Sequence, residues 1–274
     1  MNPIRFMREL YYYQTTRLWD FKPAFTVTRE QGFSKITLPE DLVSECIKDT
    51  KKRLSDTQKN SKEYLKELTH LGDYEFQSAP FRLATSPAIL AGVSSYLGYF
   101  PLLYNITAMY SPAKKVSSND QSTWQGSQLF HRDDDDIRIL KLWILCSDVA
   151  LENGPTAILP ANESEKIARQ IGYKQGEKVI DESPFEASLS KLNFAIGKSG
   201  TSYATDTDAV FHFGSRTSIK EDRLVLMIHY VSPFNRHFRP LLGGYPKNHT
   251  KQIDVSGIGQ LNREQKLLLR GYLR

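Results

Sequence analysis

QLFHRDDDDIRILKLWILCSDV, residues 128–149, is the stretch on which the fold turns. Its second half, RILKLWILCSDV, is a short apolar run of strand length, entered from a block of acids and left through Ser147-Asp148. Its first half sets His131 and Asp133 two residues apart. Side chains two apart on a strand share a face, so both could reach one ion. An HxD triplet by itself is a weak signal, and acids ahead of a strand are as readily a solvated turn. The rest of the chain has to supply the partners.

A chain of 274 residues can build a core unaided, as one large domain or two small ones. It has no solenoid-period repeat and no apolar run of the roughly eighteen residues that a membrane span needs. The start, MNPIRFMRELYYYQTTRLWDF, mixes Arg5, Arg8, Glu9 and Arg17 among aromatics. It lacks the apolar segment and cleavage site of a secretory signal and is expected to pack onto the domain in preference to a membrane surface. Cys46 and Cys146 show no CxxC spacing and lie in apolar periodic segments. They are expected as buried free thiols, which fits a reducing, cytoplasmic compartment. The net charge of +5 arises from 36 Lys+Arg against 31 Asp+Glu, scattered with no nucleic-acid-binding module. It is compatible with an anionic small-molecule substrate and more readily with an ordinary solvated surface. Oligomeric state is not legible.

Residues 1–100 read as mainly helical. TLPEDLVSECIKDTKKRL has Thr37 and Glu40 at capping-box spacing, followed by Leu42, Val43, Cys46, Ile47 and Leu54 at helical period. TSPAILAGVSSYLG opens on Ser86-Pro87 and stops at Gly98. From residue 101 to 232 the texture is that of strands: PLLYNITAMYSP, RILKLWILCSDV, TAILP, KLNFAIG, AVFHFGS and RLVLMIHYVSP, with only ESEKIARQIG as an intervening helix. Strands without regular crossover helices argue for an antiparallel sandwich or barrel. Residues 233–274 read as a loop containing Gly243-Gly244 and a small terminal helix. The expected whole is one domain, mainly β with a helical cover.

His212, in AVFHFGS, is the candidate third ligand. His70 reads as a surface residue, His229 as a satisfied histidine in a strand, and His237 and His249 as loop residues. Arg223 opens the strand after His212, and a hairpin of the two strands would bring its guanidinium near the metal. Two imidazoles and one carboxylate on one face leave the opposite face of an iron(II) ion open for a bidentate 2-oxo acid and dioxygen. A second carboxylate on that co-substrate needs a planar, two-pronged partner, which arginine provides.

The stretches QLFHRDDDDIRILKLWILCSDVALENGPTAILPAN and TDTDAVFHFGSRTSIKEDRLVLMIHYV resemble the phytanoyl-CoA dioxygenase-like branch of the iron(II)/2-oxoglutarate oxygenases. The likeness lies in HxD, an apolar strand ending in Asp148-Val149, an E-N-G-P turn, and a distal histidine with an arginine eleven residues on. It implies a double-stranded β-helix, iron held by His131, Asp133 and His212, and Arg223 on the distal carboxylate of 2-oxoglutarate. It also implies hydroxylation of a small molecule with release of succinate and CO2. Halogenating relatives lack the carboxylate ligand, so Asp133 favours hydroxylation. Pro160-Ala161-Asn162-Glu163-Ser164 departs from the proline-serine-histidine pattern of many members.

Among the neighbours, Asp134, Asp135 and Asp136 are expected in a solvated turn. Arg132 should point away from the metal, and Gln128 should lie on the other face unless the strand bulges. Lys141 either assists the acidic co-substrate or snorkels. Tyr110, Trp124 and Arg216 are candidates for the pocket mouth. Two alternatives stay open: a non-catalytic ligand-binding barrel of the same fold, and a metal-dependent cupin-like hydrolase or isomerase in which Arg223 is structural.

Overall fold

The computed structural model describes residues 21–55, 61–62, 64–113, 124–136, 138–216, 221–233, 258–269 and 272. The aromatic N-terminal segment, the Gly243-Gly244 loop, His237 and His249 lie outside them. The strands are β1 (Phe33–Ile36), β2 (Ser61–Lys62), β3 (Leu65–Glu67), β4 (Leu102–Ser111), β5 (Phe130–His131) and β6 (Ile139–Leu145). They continue as β7 (Ala157–Ile158), β8 (Lys178–Val179), β9 (Asn193–Phe194), β10 (Ser202–Thr205), β11 (His212–Phe213) and β12 (Arg223–Val231). The helices are α1 (Glu40–Ser55), α2 (Ala79–Ala84), α3 (Pro87–Leu97), α4 (Ala161–Ile171) and α5 (Arg263–Leu268).

Two antiparallel sheets result, in the orders β1-β10-β6-β12-β4-β3-β2 and β8-β5-β11-β7-β9. From β4 onward the chain passes back and forth between them, placing β4, β6, β10 and β12 in the larger sheet and β5, β7, β8, β9 and β11 in the smaller. This winding is a double-stranded β-helix under a helical cover. Each apolar run expected as a strand contains one. The N-terminal part is less purely helical than expected, since β1, β2 and β3 extend the larger sheet.

Alternation along the long strands explains the packing. Leu224, Leu226, Ile228 and Tyr230 of β12, with Leu142 and Ile144 of β6, are buried together with Cys46, Leu90, Val93 and Leu97 of the covering helices. The Tyr230 hydroxyl donates to the Ala84 carbonyl at 2.8 Å, tying this face to α2. The other face of β12 and β6 carries Arg223, Val225, Met227 and His229 opposite Leu145, Trp143 and Lys141. That inner face looks toward the smaller sheet. Both cysteines are fully buried free thiols, as expected.

Helix ends follow local chemistry. Gly98 closes α3 in the left-handed region at φ 83°. The first helical bond of α1 runs from the Val43 N–H to the Pro39 carbonyl, so the helix opens at Glu40 and not behind Thr37. Proline at that position carries the chain into the helix without needing the side-chain cap. Helix α2 was not expected; its six residues are too few to display a period.

Gly32 joins the start of β1 to the loop ahead of β11: its carbonyl accepts from the Asp206 N–H at 2.7 Å. Its φ is +69°, and an added Cβ would lie 2.7 Å from Val210 Cγ1 and 3.0 Å from Ala161 Cβ. Gly32→Ala should therefore lower stability by about 1–3 kcal/mol, through backbone strain plus overpacking. Urea denaturation checks it, and an unchanged midpoint would show that this loop yields freely.

Candidate metal centre

His131 and His212 face each other as a directly opposed pair where β5 meets β11. The residues beside them, Phe130, Phe211 and Phe213, turn the other way and pack with Ile167 and Ala168 of α4 and with Phe185. Alternation thus sends the phenyl rings outward and both imidazoles inward. The imidazole rings are 4.2 Å apart, and the two histidines are 4% and 6% exposed. Each ring is oriented through Nδ1 by the carbonyl two residues back: Leu129 at 2.8 Å for His131, Val210 at 3.2 Å for His212. With Nδ1–H donating there, each Nε2 keeps its lone pair for a metal.

Asp133 brings the carboxylate to the same place. Its N–H donates to the Thr207 carbonyl at 2.8 Å, fastening the segment after β5 to the loop before β11. Asp133 Oδ1 is 3.7 Å from His131 Nε2, and Oδ2 is 3.8 Å from His212 Nε2. One donor atom from each of the three residues lies within 4.8 Å of the others, so a single ion could touch all three. Two neutral imidazoles and one carboxylate suit a divalent transition metal and leave part of its coordination sphere to other ligands.

Electrostatics point the same way. Burial, reinforced by the neighbouring His212, pushes His131 down to about 2, and burial also lowers His212. Both imidazoles are neutral, as ligation requires. Burial alone would raise Asp133, but the Lys141 ammonium, 2.7 Å from Oδ2, overrides it and holds the carboxyl well below the usual range.

Arg223 approaches from the other sheet. Strands β11 and β12 do not form the hairpin that sequence proximity suggested: β11 pairs with β5 and β7, and β12 with β4 and β6. The chain crosses between sheets here, so residues close in sequence face each other across the barrel. Arg223 is 6% exposed. Its guanidinium donates to the Gly154 carbonyl, to Ser215 Oγ at 2.8 Å and to Ser111 Oγ at 3.2 Å. All three partners are neutral, and no carboxylate pairs with it among the described residues. Burial lowers its pKa to about 10, which still leaves it charged at neutral pH.

Several expectations about the neighbours need correction. Lys141 does point inward, but its Nζ lies 2.7 Å from Asp133 Oδ2 and so grips the candidate ligand itself. The aspartate run is not one solvated turn. Asp134 is exposed, whereas Asp135 lies 3.7 Å from Lys141 Nζ and 3.9 Å from His229 Nε2. Asp136 is buried and accepts from the Ser232 N–H at 2.7 Å. Tyr110 lies opposite Leu224 on the outward face of β4 and bonds Asp222, so it does not line the barrel mouth. Arg216 stacks on Phe213 and Trp124 and pairs with Glu182, which places it and Trp124 on the outer side of the smaller sheet. Arg132 points away, as alternation required, toward Glu165 of α4. Gln128 sits in a short helical turn and donates to the Ser215 carbonyl at 2.7 Å. His70 is half-buried, and His229 is buried with its ring edge-on to Tyr104.

Three supporting residues went unrecognised in the sequence. Gln175 donates to the Asp133 and Asp208 carbonyls, clamping the two loops of the site together. Ser215 holds Arg223 and is the one non-glycine with positive φ, 59°, among the described residues. Gly154, of the E-N-G-P turn, turns left-handed at φ 63° and offers its carbonyl to both the Ser215 N–H and Arg223. The E-N-G-P motif was the available signal for that contact.

No family model matches the chain, and no curated protein sequence matches it. Solved structures do. The non-heme alpha ketoglutarate dependent carbocyclase SnoK from nogalamycin biosynthesis is similar with a TM-score of 0.55 and 17% identity over 85% of this chain and 88% of that one. EctD from S. alaskensis, in its apoform, gives 0.54 and 16% over 82% and 84%. The epimerase SnoN, in complex with Fe3+, alpha ketoglutarate and nogalamycin RO, gives 0.51 and 15% over 85% and 86%. At these identities the likeness is one of fold, and it agrees with the double-stranded β-helix traced strand by strand above.

A pH dependence follows from the two buried imidazoles. Their folded pKa values lie below the roughly 6.5 of an unfolded histidine, so below that pH the unfolded chain binds protons that the native chain refuses. Stability of the metal-free protein is therefore fully present above pH ~6.5 and falls on acidification, by up to about 1.4 kcal/mol per pH unit per histidine. Urea midpoints at pH 7.5 and 5.5 check it. His212→Gln should show a shallower decline than the unsubstituted protein, and equal slopes would refute the contribution.

Proposed function

We propose that this chain is an iron(II)- and 2-oxoglutarate-dependent oxygenase of the phytanoyl-CoA dioxygenase-like branch. It would hydroxylate a small molecule, releasing succinate and CO2. One observation carries this: a His131–Asp133–His212 donor set, with both imidazoles buried and Asp133 partly so, shares a barrel with a buried guanidinium whose partners among the described residues are all neutral. The donor set fits iron(II), and the unmatched guanidinium fits a carboxylate.

Iron(II) held by His131, Asp133 and His212 would supply the redox chemistry that couples oxidation of the 2-oxo acid by dioxygen to oxidation of a C–H bond. The chain's own residues do the rest. The Leu129 and Val210 carbonyls keep both Nε2 atoms presented. Arg223 orients the co-substrate by its distal carboxylate, with Ser111 and Ser215 fixing the plane of the fork. Val225, Leu145, Tyr203 and Met109, clustered on the inner face with Trp143, keep that part of the barrel dry.

Residues 101–232 form the oxygenase core in this reading, with 1–100 as cover and 233–274 as terminal loop and helix of the same domain. The substrate is small, with anionic compounds the first class to try, and not a nucleic acid. Two buried free thiols suit a cytoplasmic location, and no helix among the described residues is long and apolar enough to cross a membrane.

Anaerobic titration with iron(II) and 2-oxoglutarate tests the proposal. A weak visible charge-transfer band is expected, lost in His131→Ala, Asp133→Ala and His212→Ala. Arg223→Ala should keep metal binding while weakening 2-oxoglutarate affinity on the order of tenfold or more. Tight metal binding without the band would favour the hydrolase or isomerase reading, and no metal binding would favour the non-catalytic barrel.

A further inference from the structure

Lys141 is placed where a metal-binding protein would not ordinarily put a cation. It stands on the inner face of β6, opposite His229 of β12, with its side chain 10% exposed. Its Nζ bonds Asp133 Oδ2 at 2.7 Å and lies 3.7 Å from Asp135 Oδ2. Asp135 in turn is 3.9 Å from His229 Nε2. The ammonium would compete with a metal for one oxygen of the candidate ligand, and a second carboxylate stands close by to attract it.

Coordination counting gives that competition a purpose. An octahedral ion held by two imidazoles and one carboxylate oxygen keeps three exchangeable positions. A bidentate 2-oxo acid would take two of them, leaving one for dioxygen. A carboxylate clasping the metal through both oxygens would close that third position. We propose that Lys141 is a positioning residue: by holding one Asp133 oxygen it confines Asp133 to single-oxygen ligation and keeps the third position open. Asp135, whose carboxylate stands 3.7 Å from the ammonium, helps keep Lys141 there. This inference rests on the metal-centre reading above and adds a role that the donor set alone does not specify.

The test uses the full chain loaded with manganese(II), without co-substrate, and reads water-proton relaxivity per bound ion, which counts inner-sphere waters. In Lys141→Met, relaxivity should fall by about a third, as one of three waters gives way to the second Asp133 oxygen. Metal affinity should be unchanged or tighter. Lys141→Arg, which restores a cation on the carboxylate, should recover the unsubstituted value. Unchanged relaxivity in a metal-loaded Lys141→Met protein overturns the proposal, whatever happens to affinity. If that variant does not fold, Asp135→Asn decides: it spares every candidate ligand, a partial fall supports the proposal, and the unsubstituted value overturns it. If the unsubstituted protein binds no manganese, or His212→Ala binds it equally well, the metal-centre reading itself fails and this inference fails with it.

Discussion

The pairing of His131 with His212 across two-residue strands is the constraint on which the site depends. Strands this short fix their register poorly by hydrogen bonds alone, and a slip of one residue would turn each histidine outward. What holds the register is the opposite face. The Phe130 ring stacks on Phe185 at 3.9 Å and meets Phe213 edge-on at 4.8 Å. Phe211 meets Phe185 and Tyr173. Phenyl packing under α4 thus sets the imidazole geometry, and the core and the candidate centre are two sides of one sheet.

Arg223 shows the same economy in the larger sheet. Burying a guanidinium against neutral acceptors is unfavourable unless an anion completes the site. The surrounding backbone is shaped for it: Gly154 and Ser215 both adopt left-handed conformations, and each contributes an oxygen to the fork. Gln128 bonds the Ser215 carbonyl, so the segment leading to His131 also helps steady the arginine's cradle. The cradle and the donor set are therefore mechanically joined, although they stand on facing sheets.

Strands β4, β6, β7, β9, β11 and β12 were legible because their apolar content is dense and their boundaries carry turn chemistry, whereas β10, Ser202–Thr205, has too little apolar content to announce itself. Residue types and spacing also singled out His131, Asp133 and His212, which the structure brings together, and Arg223, which it buries against neutral partners. The hairpin between β11 and β12 was not legible, and it was wrong. A short turn between two strands reads as a hairpin, and nothing local records that the chain changes sheets. Tyr110 and Arg216 failed for a related reason: sequence nearness to a site does not fix which side of a strand an aromatic or a cation takes, and here both lie outside.

The aspartate run is the sharpest case. Asp133 faces the imidazoles and Lys141, Asp134 packs against Gly176, Asp135 reaches Lys141 and His229, and Asp136 accepts from Ser232. Every one of these partners except His131 comes from a later segment of chain, so four identical side chains look interchangeable until the sheets assemble. Composition registers only repulsion among adjacent acids. The fold separates them by giving each different neighbours, with Lys141 set between Asp133 and Asp135, and the cost of gathering four carboxylates is offset one contact at a time. It follows that the acidity of the motif is a property of the loop's assembly as much as of metal ligation. A chain with Asp133 alone would keep the donor set but lose the anchor that holds Lys141 on it.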